Sequence, residues 1–205
     1  WESGGGSSFL GNYFNYLSSP FTVLIFLFDK ADISFAITAL VIVKCMASAV
    51  TFTYYLKVSQ KRHSYVSAAF GVFYAFCAYF LAYYWNIMWI DGMILLPLIV
   101  LGIEQLINNG KGALYTGALA VLLLSNYYMG YMACIFSVLY FLAYFLMTAK
   151  PRPEKSGEKL TTREKYSAKN LMRHPFLNRC ARFAGFSLLA GGLCAVTLLP
   201  TYFLL

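Results

Sequence analysis

The sequence predicts an all-α, polytopic helical membrane protein with about six membrane segments and a short outer-face helix. Three observations predict it. Of 205 residues, 60% are hydrophobic, 19% aromatic and only 12% charged, and that charged share is about half of what soluble domains carry. Apolar runs of membrane-crossing length recur along the chain. Basic residues collect in alternate intervals between those runs, as the positive-inside rule expects. The net charge of +8 would suit nucleic acid, but the charges lie between apolar runs and not along a groove-facing surface, which excludes that partner.

The chain opens WESGGGSSFLGNYFNYLSSPF, flexible and aromatic at once. Beginning at Trp1 without Met, it reads as an excerpt of a longer protein. Phe21 to Phe28 is an apolar run of eight, about 12 Å as a helix, too short for a core of about 30 Å. Pro20 suits its first turn, with Ser18 or Ser19 as N-cap. A short helix at the membrane surface, or a re-entrant one, is expected. Residues 1–32 thus form an outer loop tail with an interfacial helix.

Residues 33–147 form the helical bundle. Ile33 to Leu56 is the first span, followed by the basic KVSQKRH. Ser64 to Tyr84 is the second, and NIMWID, Asn86 to Asp91, is expected as a tight loop. Met93 to Ile107 is a short third span carrying Pro97 and Glu104, and NNGKG turns the chain. Ala113 to Leu124 is a short fourth, SNYYMG a second turn, and Tyr131 to Met147 the fifth. The two short spans could also be a re-entrant pair. Residues 148–182 are a basic cytoplasmic loop in contact with anionic lipid, with LTTREKYSAKNLM as a surface helix. Phe183 to Leu205 is a truncated sixth span.

Loops 57–63, 108–112 and 148–182 hold fourteen of the sixteen Lys and Arg residues. They belong in the cytoplasm, and the opening segment, Asp29, Asp32, Asp91 and SNYYMG face outward. The five cysteines have no CxxC spacing and read as small membrane-helix residues. His63 and His174 sit in basic loops. No His, Cys or carboxylate cluster has metal-ligand spacing. No cofactor is evident, and a divalent metal is not indicated.

Polar groups within or at the edge of a membrane are costly, so each is a functional candidate. Asp91 stands at the outer edge of a span near Asn86, between Trp89 and Gly92. It could bind a metal, orient a sugar hydroxyl or act as a base; equally, it could cap the helix GMILLPLI. Lys44, near the middle of its span, meets a lipid phosphate or a buried carboxylate, unless it snorkels along a neighbouring helix. Glu104 lies near a cytoplasmic end and suits an interfacial role. Asn126, Tyr127, Tyr128 and Tyr131 crowd the outer turn, as an aromatic belt or a sugar-stacking surface. In the opening segment, Gly4 to Gly6 permit close backbone approach, and Asn12, Tyr13, Asn15 and Tyr16 can bond to and stack on a polar ring.

Three blocks in order, WESGGGSSFLGNYFNYLSSPF, YYWNIMWIDGMILLPLIVLGIEQLI and SNYYMGYMACIFSVLYFL, resemble the YfhO family of bacterial multi-pass membrane proteins. They run from residue 1 to about residue 147. That family is similar to the GT-C class of polytopic glycosyltransferases. The resemblance implies transfer of a sugar from an undecaprenyl-phosphate carrier to an outer-face, cell-envelope acceptor such as lipoteichoic acid. It implies the bacterial cytoplasmic membrane as location, with membrane lipid and the lipid-linked sugar as partners. It also implies that the expected catalytic base lies upstream, in a first outer loop of which WESGGGSS is the tail. Asp91 is then the candidate catalytic or donor-site residue here. Asn12, Tyr13, Asn86, Asp91, Asn126 and Tyr127 are substrate-binding candidates, and Lys44 is a lipid-phosphate candidate. A lipid-linked sugar transporter or flippase and a non-catalytic membrane scaffold stand as alternatives.

Overall fold

A computed structural model describes residues 13, 17–60, 65–148, 175–196 and 199. Asn12, most of the opening segment and the greater part of the 148–182 loop lie outside the described residues. A 3₁₀ helix, Pro20–Leu27, and a single 3₁₀ turn, Lys30–Asp32, lead into α1, Ile33–Ser59. Then come α2, Tyr65–Ala75, and α3, Ala78–Tyr83. Next are α4, Ile87–Asn109, α5, Ala113–Ser125, and α6, Tyr127–Thr148. The last is α7, Pro175–Leu193. Among the described residues there is no strand. The protein is all-α and polytopic.

Four segments are long and apolar enough to cross a membrane: Lys30–Ser59, Tyr65–Tyr83, Ile87–Asn109 and Tyr127–Thr148. In its apolar window α4 has 72% of its residues buried, against 22–28% for the other three. It is therefore the central helix, and α1, α5, α6 and α7 pack around it.

Side-chain contacts fix the directions of the helices. Lys44 meets Asp91, while Tyr55 and Ser59 meet Glu104. Both contacts advance along α1 and α4 together, so those helices run parallel in nearly constant register, over about 20 Å. Tyr140 of α6 also meets Glu104, and Met129 lies against Gly92, so α6 runs parallel to α4 as well. α7 runs parallel to α5, with Thr116 donating to the Phe186 carbonyl and Cys194 to that of Ala120. The alternation expected from the charge distribution fits this arrangement. α5, at thirteen residues, spans about 20 Å and is shorter than the bilayer core.

Three expectations need correction. NIMWID is not a loop: of its six residues only Asn86 lies outside α4, which already includes Ile87 to Asp91. SNYYMG is not an extended turn: Asn126 alone separates α5 from α6. The last helix already includes Pro175 to Arg182, ahead of the expected start at Phe183, and proline is tolerated in a first helical turn. The NNGKG turn is narrower than its motif. Gly110, at φ +72°, closes α4 with its N–H on the Leu106 carbonyl, a left-handed position that glycine adopts without strain.

The second expected span is broken at Phe76 and Cys77. No proline or glycine marks that break. Within α4, Pro97 cannot donate to the carbonyl four residues earlier. That carbonyl belongs to Met93, and the Tyr74 hydroxyl donates to it at 2.9 Å. Tyr74 therefore mends the proline defect and ties α2 to α4. At Gly102 a Cβ would strike the Tyr115 backbone, so glycine there lets α5 close on α4.

Candidate functional site

Four of the five buried positions of α1 step by four, through Ala36, Leu40, Lys44 and Ser48, which aligns them on one helical face. Three of the four are what such a face normally buries. Lys44 is a charge, and it is fully buried. Its Nζ stands 2.7 Å from Asp91 Oδ1. The same ammonium donates to the Ile87 carbonyl at 2.9 Å and to Ser19 Oγ at 3.3 Å. The Phe21 ring lies over it, 5.7 Å from the centroid, within cation–π range. Lys44 is thus docked on the first turns of α4 and covered from the outer loop.

Asp91 is fully buried. Its contact with Lys44 is an ion pair by distance but lies off the hydrogen-bonding directions, and Oδ2 accepts no hydrogen bond. The capping role expected as an alternative for Asp91 is overturned. The residue at the start of α4 is Asn86, and Asp91 stands inside the helix.

The cover over the pair is the start of the 3₁₀ helix. Ser18 donates to the Ser125 carbonyl at 2.9 Å, and Ser19 bonds to Lys44. Pro20–Leu27 packs along α1, and its eight residues rise about 16 Å. Lys44 lies eleven residues into α1, a rise of about 16 Å. The two lengths agree, so this segment runs back along α1 from the level of Lys44 to Asp29.

Of the other candidates, Asn86 is buried at the α3–α4 link, its carbonyl accepting from Trp89 N–H. Asn126 is fully buried in the α5–α6 link, and its Oδ1 accepts the Met129 N–H at 2.9 Å, an N-cap arrangement. Tyr127 is half-buried and Tyr13 exposed. Lys44 and Asp91 therefore come together with Ser19, Phe21 and Ile87. The sequence reading missed Ser19 and Phe21 as partners of the pair; the signal was Lys44 itself, which needed acceptors at its own depth.

A second polar centre was also missed. Glu104 is buried and accepts from Tyr140 at 2.8 Å, Tyr55 at 3.1 Å and Ser59 at 2.6 Å. It pins α1, α4 and α6 at the opposite end of the bundle. Tyr55 and Ser59, four apart, share a helix face, and that spacing was legible. Among the described residues, no three His, Cys, Asp or Glu side chains form a metal-ligand set. An apolar cleft of about 360 Å³ opens beside Gly92, walled by Tyr74, Tyr79, Met93, Met129, Met132 and Phe136 among others.

The family model described as "Bacterial membrane protein YfhO" matches residues 1–205. The chain belongs to the YfhO family. A Bacillus subtilis (strain 168) relative named "Uncharacterized protein YfhO" is 36% identical over 72 residues. That match takes in 35% of this chain and 8% of the relative's length, so the stretch compared is a small part of that protein. No solved structure matches. Membership of YfhO, together with helices fit to cross a bilayer, makes this a bacterial membrane protein in contact with lipid.

Proposed function

We propose that this chain is part of a membrane glycosyltransferase that moves a sugar from an undecaprenyl-phosphate carrier to an outer-face acceptor such as lipoteichoic acid. The observation that carries the reading is the buried Lys44–Asp91 pair at the end of α4 assigned to the outer side by the basic loops. Intramembrane charges are costly and mark function. A buried carboxylate placed beside an ammonium is the kind of group that serves as a base or orients a hydroxyl. The apolar cleft beside Gly92 suits the hydrocarbon of a lipid carrier. The base expected in an upstream loop would then act alongside Asp91.

The test is sugar transfer from undecaprenyl-phosphate-linked donors by the full-length protein in liposomes. Asp91→Asn should cut transfer by roughly 10²-fold or more, the scale of a lost acid–base or positioning group. Expression and melting temperature serve as folding controls. Normal transfer by a folded Asp91→Asn removes Asp91 from the site, and a wild-type protein inert toward every lipid-linked donor overturns the function.

The flippase reading draws on the same pair, because buried charges also line transport paths. Movement of lipid-linked sugar across the liposome membrane, without transfer to an acceptor, would favour it.

A further inference from the structure

We infer that Asp91 Oδ2 is the seat of a hydroxyl group from a polyol ligand, and that Lys44 positions this carboxylate without binding the ligand itself. The inference deepens the transfer reading and rests on it for the ligand's role, while the binding step can be measured without transfer.

Lysine's ammonium has three N–H donors and no acceptor. Three acceptors already surround Lys44: Asp91 Oδ1 at 2.7 Å, the Ile87 carbonyl at 2.9 Å and Ser19 Oγ at 3.3 Å. Its fourth neighbour is the Phe21 ring. Fully buried among these four groups, the cation has no open side for a phosphate, and its charge is already matched by Asp91. The lipid-phosphate role expected for Lys44 therefore finds no room in this arrangement.

The carboxylate is in the opposite condition. An ionised carboxylate only accepts, at about four lone-pair positions. Both oxygens are buried and neither accepts a hydrogen bond, but Oδ1 has the ammonium 2.7 Å away, whereas Oδ2 has no such partner. A buried acceptor without a donor carries the desolvation penalty with no return from a hydrogen bond. Charge selects the class of donor. A cationic ligand would bring a second positive charge beside Lys44 in a region of low dielectric. An anionic ligand would meet the carboxylate with no spare N–H to hold it. A neutral hydroxyl satisfies Oδ2 and leaves the pair balanced. Ser19 and Phe21 form the cover, and side-chain contacts of Ser18 and Ser19 fasten it. Access then requires lifting the start of the 3₁₀ helix, which these two side-chain hydrogen bonds hold in place, and no long helix.

The experiment uses the full-length protein in phosphatidylglycerol nanodiscs. The probe is octyl glucoside below its micelle-forming concentration, and its tetra-O-methyl analogue has no hydroxyl donor. The readout is the carboxylate stretching band in difference infrared spectra. Octyl glucoside should shift that band and the methylated analogue should not. The shift should survive Lys44→Arg and vanish in Asp91→Asn, with binding weakened roughly tenfold or more, the effect of losing a hydrogen bond to a charged acceptor. Should Asp91→Asn misfold around the uncompensated lysine, Lys44→Met/Asp91→Asn carries the same test with both charges gone. Equal shifts from both probes overturn the inference, as does a shift that persists without Asp91. So does a band that answers only to exchange of H₂O for D₂O, which assigns the seat to a water molecule only. A shift in a protein inert in transfer would sink the transfer reading and keep the seat; transfer without a shift would do the reverse.

Discussion

Lys44 and Asp91 carry opposite charges into a place without bulk solvent, and each is tolerable only because of the other. Breaking a buried pair by removing one partner typically costs about 3–5 kcal/mol, whereas replacing both by apolar groups of similar size is often neutral or stabilising. Lys44→Met should therefore lower the melting temperature of the detergent-solubilised protein sharply, and Lys44→Met/Asp91→Leu should recover most of the loss. A double variant no more stable than the single would mean that the two side chains are not energetically coupled. Lys44→Arg should be the milder change, since it retains the charge that faces Asp91. Glu104 solves its own burial differently, with hydroxyl donors in place of a cation. At this scale the sequence was informative where a single residue was out of place. A lysine in mid-span demands an acceptor, and a buried carboxylate was one of two expected. Which carboxylate was not legible, because the pairing joins residues 44 and 91 across two intervening helices.

At the scale of helices, Pro97 and Tyr74 show how a defect in one element is met by another. Proline leaves the Met93 carbonyl without its helical donor, and in an apolar surrounding a bare carbonyl is expensive. The Tyr74 hydroxyl supplies the missing hydrogen bond. Tyr74→Phe should destabilise the protein by about 1–2 kcal/mol, the cost of one buried carbonyl left unsatisfied. In Pro97→Ala the backbone N–H of residue 97 returns to that carbonyl, and Tyr74→Phe should then cost far less. A double-mutant cycle on melting or denaturant unfolding measures the coupling, and additive effects would refute it. The expected span already held Pro97, and α4 outruns it mainly at its start. There the polar Asn86 and Asp91 look like punctuation in a one-dimensional reading. In the folded chain Tyr74 repairs the proline and Lys44 neutralises the aspartate, so the helix runs unbroken from Ile87 to Asn109. Apolar runs alone located every described membrane helix, because burial in lipid or protein demands apolar surface either way. The boundaries failed wherever a tertiary partner made a polar residue acceptable inside a helix. The break at Phe76 and Cys77 left no mark in the sequence at all.

At the scale of the whole molecule, contact register and charge distribution are independent and agree on direction. The register makes α1, α4 and α6 run one way, and α5 and α7 run parallel to each other. By the positive-inside rule the basic ends of the first set are expected in the cytoplasm, since Lys57 follows the α1 core and Lys111 follows α4. The pair Lys44–Asp91 then lies toward the outer face and the Glu104 cage toward the inner one. The expected orientation follows from charge counting alone, whereas the packing of Pro20–Leu27 along α1 needed coordinates, because eight apolar residues carry no signal of their partner. Single-cysteine labelling of intact cells, in a background with the native cysteines replaced, tests the orientation. Trp85 is 66% exposed at the link before α4, and Trp85→Cys should react with a membrane-impermeant maleimide from outside. Lys57→Cys and Lys111→Cys, also exposed, should react only after the membrane is permeabilised. Outside labelling at 57 or 111 with none at 85 would invert the molecule, move Asp91 to the cytoplasmic side and remove the basis for an outer-face transfer site. Labelling at all three positions from outside would instead break the alternation, and with it the parallel run of α1 and α4 on which the meeting of Lys44 and Asp91 depends.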